Sequence, residues 1–425
     1  MNSIPKPPAV RNMPFAESKN ARYEVPPTAG LPLYLSDLRP GSADLATAIA
    51  QFLNVEHAQL ESSGTAALVI ALHALHDIAP TRHVVIVPAY TCPLVALAIA
   101  QCGLSLRICD LLSDSLSMDP VMLASLCDTN TLAILPTHLC GRISTVAPIQ
   151  ACARACGAWV IEDAAQALGA RVDGHSVGTE SDLAIFSLAV GKGLTIYEGG
   201  ILIARDAAVR DACAKASARL APARLLIECQ RLLELAAYAA LYRPSLLPLA
   251  YGKPLRRALQ VNDWLEAAGD CFPARTVLHR PGKWRQAVGV RALKRLAAFQ
   301  TSTREQALRR LPRLRAIEGI VPFEDEEGSG TWPVLSLLMP DRVRRDAALQ
   351  ALWGMGCGVS LPFVHALPDY AYLNELIPAA AQDQHALPNA RMLASRVLTI
   401  SNSPWLDDAT FTSICSTLAR ICKQA

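Results

Sequence analysis

Two residue types at two strand ends set the chemistry this chain can do. The run Trp159-Val160-Ile161 is apolar and strand-like, and it stops at two carboxylates, Glu162 and Asp163. A second apolar run, Leu183 to Phe186, leads to Ser187; a lone Lys192 follows between glycines, ahead of a turn at Glu198-Gly199-Gly200. A carboxylate and an amine brought together from two strand ends can grip a pyridine aldehyde from opposite sides. The amine condenses with the aldehyde, and the acid keeps the ring nitrogen protonated so that the ring draws in electrons. Those are the needs of pyridoxal phosphate chemistry. Taken singly, each residue is ordinary: lysines are mostly solvated, and an aspartate after a strand is as often a cap or a turn residue. Their order and setting carry the reading.

The stretch resembles the DegT/DnrJ/EryC1/StrS family of sugar aminotransferases, pyridoxal-phosphate enzymes of fold type I. The shared parts come in order: Glu162-Asp163-Ala164-Ala165-Gln166, Gly178-Thr179 with Asp182, Phe186-Ser187, Lys192 and Glu198-Gly199-Gly200. The resemblance implies that Lys192 and Asp163 are the catalytic pair and that Gln166 bonds the 3-oxygen of the cofactor ring. It also implies that Ser187, Gly64 and Thr65 hold the cofactor phosphate. The last two lie in Leu60 to Leu68, a small-residue turn feeding an apolar helix. A helix start offers unpaired N–H groups and a positive dipole end, a natural phosphate seat; the same letters also read as an ordinary cap. The family's S-G-T-x-A-L at this place favours the seat. Tyr90, Thr91 and His138 are the candidate substrate contacts. Family members move an amino group, commonly from glutamate, onto a nucleotide-linked keto-sugar for surface polysaccharides or antibiotic sugars. The partners expected are therefore a small amino donor and a sugar carbonyl acceptor. A homodimer is expected too, because fold type I sites are built at a subunit boundary. Two other readings are a pyridoxal-phosphate dehydratase and a catalytically altered or regulatory relative. Deoxygenating relatives replace the lysine with histidine, and Lys192 is retained here.

The elements that must position these residues alternate. Val84 to Val87 reads as a buried strand ending in Pro88-Ala89-Tyr90-Thr91-Cys92, and Leu104 to Asp110 as another; Leu132 to Pro136 is a third, ending in Thr137-His138-Leu139-Cys140-Gly141. Helices are expected over Ala43 to Leu53, after Gly64, up to Cys102, and over Ile149 to Cys156. Such alternation predicts an α/β fold: a mostly parallel, mixed sheet with helices on both faces. Ligands of such sheets sit beyond the carboxyl ends of the strands, where Thr91, His138, Asp163 and Ser187 all fall. His138 stays open between a satisfied core histidine and a pocket residue. Two departures from the family stand out. Cys92 occupies the place of an aromatic that stacks on the pyridine ring, leaving Tyr90, another side chain or the thiol itself to cover it. The family's N-x-R-x-x-x-x-Q-A-A-x-G, whose asparagine reaches the neighbouring subunit's phosphate, has no asparagine here between Ala267 and Gln300. His279, Arg280 and Lys283 are the stand-ins.

With 425 residues the chain is longer than one core usually serves, so two domains are expected. They are a large cofactor-binding domain over 1–280, carrying a helical insertion at 206–280, and a small C-terminal α+β domain over 281–425. In the second, the stretch Trp284 to Val290 is followed by a long helix to about Leu311, a strand at Thr331 to Met339, a helix at Asp341 to Trp353, a strand at Val397 to Ile400 and a last helix from Asp407. At 52% hydrophobic and 18% charged there is ample material for a large interior. A net charge of +3 is too small to point to a nucleic-acid partner. The thirteen cysteines show no C-x-x-C pair and no metal-ligand spacing. They read as buried reduced thiols of a cytoplasmic protein, Cys102, Cys109, Cys127 and Cys229 among them. The opening residues are Pro-rich, expected to be extended, and lack the apolar run of a signal peptide. Leu225 to Tyr251 is interrupted by charges and prolines, too often for a membrane span. Its interleaved arginines fit a helical connection packed on a partner subunit, with a membrane-surface patch as the alternative. Arg309, Arg310, Arg313 and Arg315 read as a solvated helix face.

Overall fold

The computed structural model describes residues 23–325 and 327–423. The Pro-rich start up to residue 22 lies outside the described residues. Seven strands build the large sheet: β1 (Gln59–Glu61), β2 (Val84–Pro88), β3 (Ser105–Cys109), β4 (Thr131–Ile134), β5 (Trp159–Asp163), β6 (Leu183–Ser187) and β7 (Gly200–Ala204). Their order is β1-β7-β6-β5-β4-β2-β3. The run from β3 to β6 is parallel, and β7 and β1 close one edge antiparallel. Every residue of β2 and β6 is buried, as a sheet covered on both faces requires.

The helices that cover it are α1 (Leu45–Leu53), α2 (Gly64–Ile78), α3 (Pro93–Gln101), α4 (Pro120–Leu126) and α5 (Ala147–Cys156). Successive side chains of β2 go to opposite faces. Val85 and Val87 join α2 and α3 in one cluster, while Val84 and Ile86 join α4 and α5 in another. Ten of the fifteen residues of α2 are buried, so this helix is enclosed rather than amphipathic.

Residues 206–280 carry the helices α6 (Ala207–Leu220), α7 (Leu225–Leu241), α8 (Lys253–Gln260) and α9 (Trp264–Ala268). Leu235, Tyr238 and Ala239 of α7 enter the core, whereas Leu225 is 81% and Leu241 42% exposed. Cys229, expected to be buried, is exposed on the same outer side. Polar anchors set this register: Glu228 and Arg231 face inward to ion pairs with Arg285 and Glu198. No helix among the described residues is long and apolar enough to cross a membrane.

Two helices stand here, α10 (Lys283–Leu293) over the motif stretch and the long α11 (Leu296–Arg315) after it. The break at Lys294–Arg295 lets Arg295 reach Asp37 with two hydrogen bonds, 2.9 and 2.8 Å. α11 then runs to a second sheet of β8 (Val321–Pro322), β9 (Val334–Leu338), β10 (Val359–Ser360) and β11 (Val397–Ser401), all antiparallel, in the order β8-β9-β11-β10. α12 (Arg342–Leu352) and the last helix, Asp408–Lys423, share its core. Arg310 is not on a solvated face: it is 3% exposed, bonded to the Leu406 carbonyl, and lies over the Phe411 ring.

Candidate active site

Asp163 ends β5, where its N–H donates to the Pro136 carbonyl (2.8 Å) and its carbonyl accepts from His138 (2.9 Å). This pairing extends the sheet one step past β4 and fixes the backbone under the carboxylate. The side chain is buried, and its Oδ1 accepts one bond, from the Ala165 N–H at 3.1 Å. Burial pushes the carboxyl up; the Ala165 N–H and the charges of Lys192 and His138 oppose that rise. Lys192 stands on the turn after β6, between Gly191 and Gly193, whose φ angles of 79° and 81° side chains rarely adopt. It is half-buried and borders a cleft with Gln166, Phe299, Gln300 and Trp332. Gln166 Oε1 accepts from the Cys140 N–H at 2.7 Å, which leaves the amide nitrogen free to donate.

Cys92 is the N-cap of α3 and feels both charges: Lys192 lowers its pKa and Asp163 raises it, while burial takes the thiol up to about 12. A short side chain that both charges reach thus stands where a ring was expected.

The start of α2 packs against the end of β6. Ser63 caps the helix: its hydroxyl accepts from the Ala66 N–H (3.0 Å) and its carbonyl from Ala67 (2.9 Å). The N–H groups of Gly64 and Thr65 come before the first intrahelical bond and are free for an anion. The wall is tight. A Cβ on Gly200 would sit 2.0 Å from the Ser63 carbonyl oxygen, and one on Gly64 would sit 3.2 Å from the Ser187 Cβ. The Ser187 hydroxyl accepts from the Ala189 N–H at 3.3 Å and keeps its own proton to donate.

The three candidate substrate contacts are placed differently. His138 is 1% exposed; its Nε2 lies 2.8 Å from Glu162 Oε2, and its Nδ1 accepts from the Ser144 N–H at 3.1 Å. Both ring nitrogens are used inside the fold, as a satisfied core histidine's are. Tyr90 is buried, with its hydroxyl donating to the Phe363 carbonyl (2.8 Å) and accepting from the Phe363 N–H (3.2 Å). Thr91 is buried, with its Oγ1 3.3 Å from the Thr137 hydroxyl. Of the family-like residues beyond the pair, Glu162 binds His138 and the Gly178 N–H (2.8 Å), and Asp182 accepts from the Val160 N–H (2.8 Å). These hold strands rather than a ligand.

Sequence reasoning missed the far wall. Trp332 lines the cleft and is backed by the Arg142 guanidinium, 3.4 Å from its ring centre, with Arg142 locked to Asp325 at 2.5 Å. Burial brings Arg142 down to about 10 against the pull of Asp325. Phe299 and Gln300 come from α11. They belong to no motif; only their place on a helix aimed at the second sheet would have pointed to them.

A family model for the DegT/DnrJ/EryC1/StrS aminotransferase family matches residues 37–219. The chain is 31% identical over 167 residues to the GDP-perosamine synthase of Vibrio cholerae, covering 39% of this chain and 45% of that one. It thus spans less than half the length of that relative. With the spore coat polysaccharide biosynthesis protein SpsC of Bacillus subtilis it shares 27% identity over 369 residues, 84% of each chain. Among solved structures it is similar to Helicobacter pylori PseC, an aminotransferase involved in the biosynthesis of pseudoaminic acid. The TM-score there is 0.68 at 16% identity, over 97% of this chain and 100% of the other. At that identity the likeness speaks of fold, and the fold is the type I architecture that the sequence led us to expect. Ordered motif, matched region and architecture agree: over residues 37–219 the chain is similar to the DegT/DnrJ/EryC1/StrS aminotransferase family, and its fold is that of the solved relative.

Proposed function

We propose that this chain is a pyridoxal-phosphate-dependent aminotransferase. It moves an amino group from glutamate to a nucleotide-linked keto-sugar or a related carbonyl compound in surface-glycan biosynthesis, as a cytoplasmic homodimer. One observation carries the reading. A buried carboxylate at the end of β5 lies beside β6, whose following turn carries the lysine, with an open helix start walled by the residue that ends β6.

The residues present fit the cofactor. Bound there, it supplies an electron sink for the carbon that carries the migrating nitrogen. The Gly64 and Thr65 N–H groups and the Ser187 hydroxyl hold its phosphate. Gln166 donates to its ring oxygen through the amide nitrogen that Cys140 leaves free. Asp163 keeps the ring nitrogen protonated, and the attraction offsets the cost of burying that carboxylate. Lys192 would hold the cofactor through its aldehyde, and its amine would serve as the base and acid that moves the proton of the donor carbon. Tyr90 and His138, whose polar atoms are committed within the fold, shape this site from behind.

The test is spectroscopic. Protein incubated with pyridoxal phosphate is expected to be yellow, to lose the band in Lys192→Ala, and to pass to the amine form on adding glutamate. A colourless protein that ignores the cofactor would sink the proposal. A coloured protein that no amino acid changes would favour the dehydratase reading instead.

A further inference from the structure

Gln166 follows Asp163 by three residues, on the turn after β5, and two other segments hold it. Its side-chain Oε1 accepts from the Cys140 N–H at 2.7 Å, and its carbonyl accepts from the Thr331 hydroxyl at 2.8 Å. Cys140 donates from a left-handed backbone, φ 56° and ψ 20°. Few residues other than glycine adopt that conformation, and such outliers gather where a fold aims a group for use. Gly141 continues it at φ 74°. A Cβ there would sit 2.4 Å from the Thr331 hydroxyl oxygen and 2.8 Å from Pro333 Cδ, so the turn and the entry to β9 touch. Arg142, next along, locks the two together: it pairs with Asp325 at 2.5 Å and donates to the Thr331 carbonyl. Asp325 in turn accepts from the Ile143 and Gly330 N–H groups at 2.8 and 3.0 Å. A carboxamide that faces an N–H can meet it only with its oxygen. The polarity of the Gln166 side chain is therefore set, with the oxygen on Cys140 and the nitrogen left for the cleft that Gln166 and Thr331 both line.

We propose that Thr331, on the segment entering β9, and the left-handed Cys140-Gly141 turn are positioning residues for the cofactor ring: together they fix the Gln166 amide with its nitrogen towards the cleft. The inference rests on the pyridoxal phosphate reading above and adds to it that a residue leading into the second sheet acts on the ring without touching it. The sign of its effect follows from charge. A donor on the ring oxygen stabilises negative charge there. That oxygen then holds the neighbouring imine proton less tightly, and the imine gives it up at lower pH. A Gln166 that drifts, or turns its own oxygen to the ring, leaves the imine protonated to higher pH. The strain at Cys140 serves the same end, since a relaxed turn would aim its N–H away from Gln166.

The experiment follows the imine absorbance against pH in wild type and variants loaded with pyridoxal phosphate. Gln166→Leu sets the full effect, a rise in the midpoint of about one pH unit, as for a hydrogen bond to a charged group. Thr331→Val, close in shape but without the donor, is expected to raise the midpoint by roughly half of that, and Thr331→Ser to restore it. Cys140→Gly keeps the N–H and suits the backbone, so it should hold the wild-type midpoint. Cys140→Val, branched at Cβ and ill-suited to a positive φ, should move as far as Gln166→Leu. In cofactor-free protein, exchange of the Cys140 amide is expected to quicken in Thr331→Val and to stay slow in Thr331→Ser. Wild-type midpoints in Gln166→Leu or Thr331→Val, or a Thr331→Ser that stays displaced, overturn the inference and leave the cofactor reading intact. A wild type that forms no imine overturns both.

Discussion

Glu162 and Asp163 are neighbours in sequence with opposite electrostatics. Burial pushes Glu162 up, but the His138 hydrogen bond and charge, with Ser181 and the Gly178 N–H, hold it below the usual carboxylate range. Asp163 has one weaker donor, and burial leaves it above that range. The consequences for stability differ in sign. Glu162 contributes stability that is present above its unfolded value and lost as pH falls through its folded one. For Asp163 the preference for the protonated form helps only below the unfolded value and is lost as pH rises through the folded one. Asp163→Asn is neutral throughout. In cofactor-free protein we expect it to gain thermal stability over wild type as pH rises from about 4 to about 7, by about 2 °C or more in a scan. Loaded with cofactor, it should lose roughly a hundredfold or more in transfer rate. No gain in the scan would mean that Asp163 is not the strained member of the pair. The sequence showed both carboxylates at the strand end. It could not show which one the fold consumes, because His138 and Gly178 reach Glu162 only through folding.

At the scale of elements, α7 braces the Lys192 turn. Arg285 is fully buried on α10 and donates to the Ile196 and Glu198 carbonyls at the end of that turn. Its charge is matched by Glu228 of α7 in two bonds, 2.8 and 2.7 Å. Arg231, one turn along, pairs with Glu198 and Glu234. Removing one member of a buried pair strands the other charge, at roughly 3–5 kcal/mol, whereas replacing both by apolar groups is often near neutral. Denaturant unfolding should therefore show Glu228→Leu and Arg285→Met each strongly destabilising and the double variant close to wild type. Additive losses would mean that the two do not act as a pair. None of this was legible beforehand, since 57 residues separate the partners. Similar reasons hid other elements. β1 has three residues, too few for a pattern. β7 begins at Gly200, so glycines that admit the Ser63 backbone read as a turn. The parallel strands were plain because burial on both faces leaves an unbroken apolar run.

At the scale of the molecule, the two sheets are joined through residues that end strands of the first. The Tyr90 hydroxyl serves both backbone groups of Phe363, and the Leu367 N–H donates to the Ala89 carbonyl at 2.8 Å. Asp110, just past β3, caps the helix Pro388–Arg396: its two oxygens accept from the Asn389 and Ala390 N–H groups at 3.0 and 2.8 Å. Tyr90 was read as a substrate contact because its place after β2 is where ligands bind; its partner, 273 residues away, has no local trace. One buried apolar cluster also runs from α2 and α3 to Val334, Leu338 and Val397, so losing a polar tie should loosen the segment it holds rather than part the two sheets. Asp110→Ala removes both caps at a cost of about 1–2 kcal/mol. Amide exchange should then quicken over 388–396 and the neighbouring β11, with β4, β5 and β6 unchanged. Exchange that quickens equally in β5 would mean that the two sheets open as one unit, and the cleft between Lys192 and Trp332 could not then widen without unfolding the strand that carries Asp163.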